Sequence, residues 1–270
     1  MLKQRVITAV ILTLLASLAL FKATAEVWQW VILGVGFVAA WEWAGFARFN
    51  QAWQKALFAL LTTVIGFVSI EILSVPNIVL LTLLESLLLI YVVTGYQRSQ
   101  GQIGTRSVVF VLLSGVLSVV LFTVVMVRFR VEFSADILLM SLFVIWAIDT
   151  GAYFSGKRFG KTKLAVHVSP GKTWEGVWGG ALLAFVIALT GLWLVSAALN
   201  LSIVLFAVIL AGIAMFSVLG DLFESVLKRQ VNLKDSGGIL PGHGGVLDRI
   251  DSLLIAMPML YLAWHFGSVI

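Results

Sequence analysis

The sequence predicts an all-α polytopic membrane protein of about nine transmembrane helices, with the N-terminus cytoplasmic and the C-terminus on the opposite side. Three observations carry this prediction. Of the 270 residues, 61% are hydrophobic and 11% charged, against averages of about 45–50% and about 25% for soluble domains. Mean hydropathy is +1.07. The apolar residues also fall into runs close to the roughly 20 residues that cross a hydrocarbon core about 30 Å thick. Too few charges remain to coat even one water-soluble domain, so the solvent is largely lipid.

The runs follow one another with little punctuation. The first, Val6 to Phe21, is short; its basic start at Lys3 and Arg5 and the small pair Ala23 and Ala25 resemble a cleavable signal peptide, but an uncleaved helix gives the more consistent charge distribution. The others are Val27 to Ala47, Ala56 to Val75, Ile78 to Tyr96, Val108 to Val127, Ile137 to Phe154, Trp174 to Ala198, Ser202 to Leu219 and Ser252 to Ile270. A single integral membrane domain is expected over residues 1–270, with 1–130 mainly helical hairpins and most of the polar sequence in 149–251.

Orientation follows from the basic residues. With the N-terminus inside, the cytoplasmic face carries Lys3, Arg5, Arg48, Lys55, Arg98, Arg106 and the Lys and Arg residues of two long polar stretches, and the other face only Lys22, Arg128 and Arg130. That asymmetry obeys the positive-inside rule. The net charge of +5 therefore reports membrane topology and not a nucleic-acid partner. The absence of cysteine excludes a disulfide framework, a thiolate metal site and a cysteine nucleophile, so a metal would be held by oxygen or imidazole.

Chemistry gathers in the two polar stretches. The first, residues 155–176, contains GKRFGKT, which imitates a P-loop but has only three residues between Gly156 and Gly160 and leaves a membrane helix instead of a strand. It reads better as a basic juxtamembrane loop whose lysines can contact phosphate. In it Lys172 precedes Trp174, a helix start, where positive charge suits an anion; a snorkelling interfacial lysine fits the same place. Carboxylates are expensive in membrane helices and mark polar interiors. Asp149 lies near the end of the sixth run. Asp221, Glu224 and Ser225 share one helical face, and Asp248 and Asp251 are three apart at the start of the ninth run. Asp221 with Asp248, and Asp251 beside them, would suit Mg²⁺, a hard cation held by one or two carboxylates plus substrate phosphates. The same acids equally suit helix caps or ion pairs with Lys228, Arg229 and Arg249, and spacing does not choose between the two readings. His243 stands between glycines in PGHGG, which lets the backbone approach a ligand. Glu42, Glu71 and Glu85 have no polar neighbours in sequence and read as interfacial or helix-packing residues.

Taken whole, Ser225 to Asp251 (SVLKRQVNLKDSGGILPGHGGVLDRID) resembles the signature of the phosphatidate cytidylyltransferase (CDP-diacylglycerol synthase) family, and DTGAYFSGKRFGKTKL, SPGKTWEG and GDLFES agree with it. The resemblance implies transfer of CMP from CTP to phosphatidic acid, giving CDP-diacylglycerol and pyrophosphate, with Mg²⁺ and one or two ions at the site. It implies Asp221 and Asp248 as metal ligands with Asp251 nearby. Asp221, Asp248, Lys228 and His243 become candidate catalytic residues, and Lys172, Ser225, Arg229, Lys234, Asp235 and Arg249 candidate substrate contacts. CTP, phosphatidic acid and membrane lipids are the expected partners, with a homodimer the expected assembly and no nucleic acid. The expected place is the bacterial cytoplasmic membrane, with the site on the cytoplasmic face. Two other classes fit polytopic character. A CTP-using lipid kinase would release CDP, and a secondary transporter would place its polar residues near the midplane of inverted repeats, not in two loops.

Overall fold

The computed structural model describes residues 2–102, 107–196 and 201–267. Arg106 and the ends of the seventh and ninth apolar runs lie outside the described residues, as do the side chains of Lys3 and Arg5. The described chain forms helices α1 (Leu2–Lys22), α2 (Ala25–Phe46), α3 (Ala52–Ile72), α4 (Val75–Arg98), α5 (Val108–Phe133), α6 (Ala135–Phe159), α7 (Trp174–Ser196), α8 (Leu201–Gln230) and α9 (Leu247–Phe266). Seven of them, α2 to α8, are long and apolar enough to cross a membrane. Helix α1 offers the shorter apolar segment Val10–Lys22, and α9 opens on Asp248, Arg249 and Asp251.

One element departs from an all-α fold. Between α6 and α7 the basic stretch forms an antiparallel hairpin of strands β1 (Lys163–Ala165) and β2 (Ser169–Thr173). The carboxylate of Glu175, in the first turn of α7, accepts from the backbone N–H groups of Lys161 and Thr162 at 3.0–3.1 Å, and Gln97 on α4 accepts from the N–H of His167 at 3.0 Å. The hairpin thus sits on two helices, and Thr173 at its end caps α7 by accepting from Gly176 N–H.

Helices α6 and α8 outrun their apolar segments. Beyond the membrane-length run of α8, Asp221 to Gln230 is rich in good helix formers, so the helix continues until Asn232, whose φ of 56° closes it. The N–H groups of Asn232 and Leu233 return to the carbonyls of Arg229 and Lys228, a Schellman ending. The last turns of α8 therefore carry Asp221, Glu224, Ser225 and Lys228 on a rigid element.

Long-range contacts fix how the helices stand. The indoles of Trp28 and Trp43, at opposite ends of α2, donate to the carbonyls of Met126 and Val111 on α5 at 3.0 and 2.8 Å, so α2 and α5 are antiparallel. The guanidinium of Arg130 caps the end of α1 at the Leu20 and Ala23 carbonyls, and that of Arg128 caps α3 at the Ile70 carbonyl. Cations there complement the helix dipoles. Helices α6 and α7 approach most closely through glycines: a Cβ on Gly151 would lie 2.8 Å from the Gly180 Cα, and one on Gly180 would meet the Ile148 carbonyl. Small residues allow such contact where no hydrophobic effect drives helices together.

Gly180→Leu is expected to lower the midpoint of thermal unfolding in detergent, through overpacking worth about 1–3 kcal/mol. Gly34→Ala, where an added Cβ meets nothing within 4 Å, should leave the midpoint unchanged or raise it slightly.

Candidate active site

The C-terminal ends of α2, α6 and α8 and the N-terminal ends of α7 and α9 converge at one end of the bundle. A cavity of about 640 Å³ opens there, lined by the carboxylates Asp149, Asp221, Asp248 and Asp251 and by the cations Lys157, Lys172 and Arg249. Lys172, delivered by β2, donates from Nζ to Asp221 Oδ2 at 2.6 Å, and the Ser225 hydroxyl donates to Asp221 Oδ1 at 3.3 Å. The two polar stretches, separated by a whole helical hairpin in sequence, meet at this ion pair.

Behind the cavity lies a denser knot. Lys228 Nζ bridges Glu224 Oε2 at 2.5 Å and Asp248 Oδ1 at 2.8 Å, all three side chains being nearly buried. Asp248 also accepts from Ser236 N–H at 2.9 Å and Gly245 N–H at 2.8 Å, so one carboxylate ties both ends of the α8–α9 loop to the start of α9. Burial pushes the Asp248 carboxyl up. The Lys228 ammonium and the N–H groups of Gly245 and Ser236 outweigh that and hold it below the ordinary carboxylate range.

Helix α9 begins after Val246, which has no side-chain acceptor with which to cap it. The cap comes from α2: Glu42, 3% exposed, accepts from Val246 N–H at 3.1 Å, Leu247 N–H at 2.8 Å and the Ser236 hydroxyl at 3.1 Å. The glycines of the signature make room for it, since a Cβ on Gly237 or Gly245 would collide with the Glu42 carboxylate. Glu42 is thus a loop clamp, correcting its reading as a packing residue. Glu85 does sit in the packed interior, 1% exposed, and Glu71 is exposed.

Of the residues singled out from sequence, Lys172, Asp221, Asp248, Arg249 and Asp251 line the cavity, while Ser225 and Lys228 bond directly to its carboxylates. Arg229, Lys234 and Asp235 are exposed at the end of α8 and on the loop that follows it. His243 is held in a tight turn between Gly242 and Gly244, with φ of 77° and 86°. Its carbonyl accepts from Arg249 Nη2 at 2.8 Å, and its ring is not part of the cavity lining. Asp149, which carries no assigned role in the sequence, faces the cavity with Tyr153 and Lys157 from α6. The signal for Asp149 and Glu42 alike is a carboxylate in an apolar helix.

Among the described residues no three carboxylate or imidazole side chains come together as a metal cage. The donor set is nonetheless all oxygen and concentrated in one cavity, which fits a hard cation completed by phosphate oxygens.

A family model described as the Cytidylyltransferase family matches residues 3–266. Relatives named phosphatidate cytidylyltransferase include one from Haemophilus influenzae, 35% identical over 98% of this chain and 99% of its own. Another, from Pseudomonas aeruginosa, is 38% identical over 99% and 98%. One from Bacillus subtilis is 50% identical over 44% of this chain and 43% of its own. Similarity along the whole length, together with the meeting of Lys172, Asp221, Asp248, Arg249 and Asp251 at one cavity, establishes that the chain belongs to the cytidylyltransferase family.

Proposed function

We propose that this multi-pass membrane protein is a phosphatidate cytidylyltransferase, joining CTP to phosphatidic acid to give CDP-diacylglycerol and pyrophosphate. The observation that carries the reading is a single cavity, at one end of a lipid-embedded bundle, where carboxylates and cations from both polar stretches are interleaved. The name of the full-length relatives supports the same reaction.

A phosphate oxygen of phosphatidic acid attacks the α-phosphorus of CTP, a new P–O bond forms, and the bond to pyrophosphate breaks. A phosphate monoester has a second pKa near about 6, so the nucleophile is already largely ionised at neutral pH and no general base is required. The site must instead bring two polyanions together in line and stabilise charge on the leaving pyrophosphate. Lys172, Arg249 and Lys157 supply positive charge inside the cavity, and Arg229 and Lys234 supply it outside. Asp221, with Asp251 and Asp248, would hold Mg²⁺, which neutralises phosphate charge when bound. Asp248 also fixes the loop, its oxygens accepting from Lys228, Ser236 and Gly245. His243 positions Arg249 through its carbonyl.

The topology proposed is nine spans, with α1 and α9 added to the seven, in a bacterial cytoplasmic membrane with the N-terminus and the cavity facing the cytoplasm. Of the three basic residues left on the far side, Arg128 and Arg130 are engaged in capping α3 and α1.

In detergent micelles with labelled CTP and phosphatidate, the protein should form CDP-diacylglycerol and pyrophosphate only with Mg²⁺ present. Asp221→Asn should lower kcat/KM about 10²–10³-fold; release of CDP in place of pyrophosphate would identify a kinase and refute the assignment. Glu42→Gln, which keeps one side-chain acceptor oxygen but removes the charge and the second acceptor, should cost about 10–100-fold in activity and Glu42→Ala more, with hydrogen exchange at the Val246 and Leu247 amides accelerated in both. The cysteine-free chain permits a topology test: a cysteine at exposed Gly238 should react with an impermeant maleimide in inside-out vesicles and not in right-side-out ones.

A further inference from the structure

An apolar groove adjoins the cavity on its membrane side. It holds about 280 Å³ between α7 and α8, and no charged side chain lines it. Gly212, Met215, Val218, Leu219 and Leu222 floor it at helical spacings of three and four along one face of α8. The ten steps of 1.5 Å from Gly212 to Leu222 make the floor about 15 Å long. That is half of the roughly 30 Å hydrocarbon core, the depth of one leaflet.

The upper end of the groove meets the polar site. Val177 and Val218 line both the groove and the polar cavity, and one turn beyond Val218 stands Asp221 with its partner Lys172. Trp174, two residues after Lys172 in sequence, lines this groove and is 42% exposed, the placement of an aromatic ring at a membrane interface. At the other end Gly212 faces open space, with nothing within 4 Å of an added Cβ.

A groove one leaflet deep, apolar throughout and headed by a lysine in a polar cavity, matches a lipid whose phosphate lies at the interface and whose chain runs inward. We infer that the α7–α8 groove receives one acyl chain of the diacyl phosphate substrate, with Gly212 leaving its far end open to long chains. The inference rests on the phosphatidate reading above and adds where the lipid lies. Headgroup charge and chain act together: Lys172 selects the phosphate, and the groove holds the chain beneath it.

With the full-length protein in detergent micelles, Gly212→Cys places a single thiol in the groove for a bimane label, since the chain has no cysteine. Phosphatidate brominated near its acyl termini should quench the label saturably, at about tenfold lower concentration than brominated phosphatidylcholine. In Gly212→Phe the ratio of kcat/KM for dioleoyl to that for dioctanoyl phosphatidate should fall at least about tenfold, as pockets discriminating methylenes do. Equal quenching by the two lipids, an unchanged ratio, or no quenching, as a groove covered by a second copy of the chain would give, overturns the inference. Saturable, phosphatidate-selective quenching of a protein that forms no CDP-diacylglycerol upholds the groove and refutes the reaction instead.

Discussion

The ammonium of Lys228 holds this site together. It joins Glu224, one turn before it on α8, to Asp248 at the start of α9, and through Asp248 it reaches the backbone at Ser236 and Gly245. Removing charges from water is expensive, and a buried ion pair is often no more stabilising than an apolar packing of the same volume. What it provides is selectivity of arrangement, because each partner left alone in this setting would be far costlier than the trio. The loop carrying the signature therefore has one low-energy course, and that course points Asp221, Asp251 and Arg249 into the same cavity.

The surrounding bundle meets a second constraint, the absence of water to satisfy polar groups within the hydrocarbon. At the end away from the cavity, arginines on α5 close the carbonyl ends of α1 and α3. At the cavity end, Glu42 closes the amide end of α9. Charges that cap a neighbouring helix also lock it in register, so these caps fix the frame within which glycine-packed α6 and α7 bring Lys172 to Asp221. The hairpin between them, anchored on Glu175 and Gln97, makes Lys172 a fixed contact instead of a free surface lysine. The same close approach of α6 sets Asp149 opposite α8, which concentrates four carboxylates where phosphates and a cation would be gathered.

Much of this is legible in sequence, for physical reasons. Apolar runs of membrane length stand out against any soluble composition, and the spacing of Asp221, Glu224 and Ser225 shows a shared face, which α8 bears out by continuing to Gln230. Of the signature, Asp248, Arg249 and Asp251 reach the cavity. What escapes are features that depend on a partner remote in sequence. Glu42 lies 204 residues from the amide of Val246 that it caps, and no local pattern shows that Val246 lacks a cap of its own. Asp149 is visible as a costly carboxylate, but its neighbours come from α7 and α8. The hairpin is hidden because Gly, Lys and Pro dominate its strands, and tertiary anchors supply the order that propensity does not.

The role of Lys228 is tested most directly by a double-mutant cycle of Lys228→Met and Asp248→Asn, followed by the midpoint of SDS-induced unfolding in mixed micelles. Removing one buried partner should cost about 3–5 kcal/mol, and the double variant should be little worse than the worse single one, a coupling well above about 1 kcal/mol. Additive effects, or single variants as stable as the parent, would show that the bridge does not organise the site and would contradict the account.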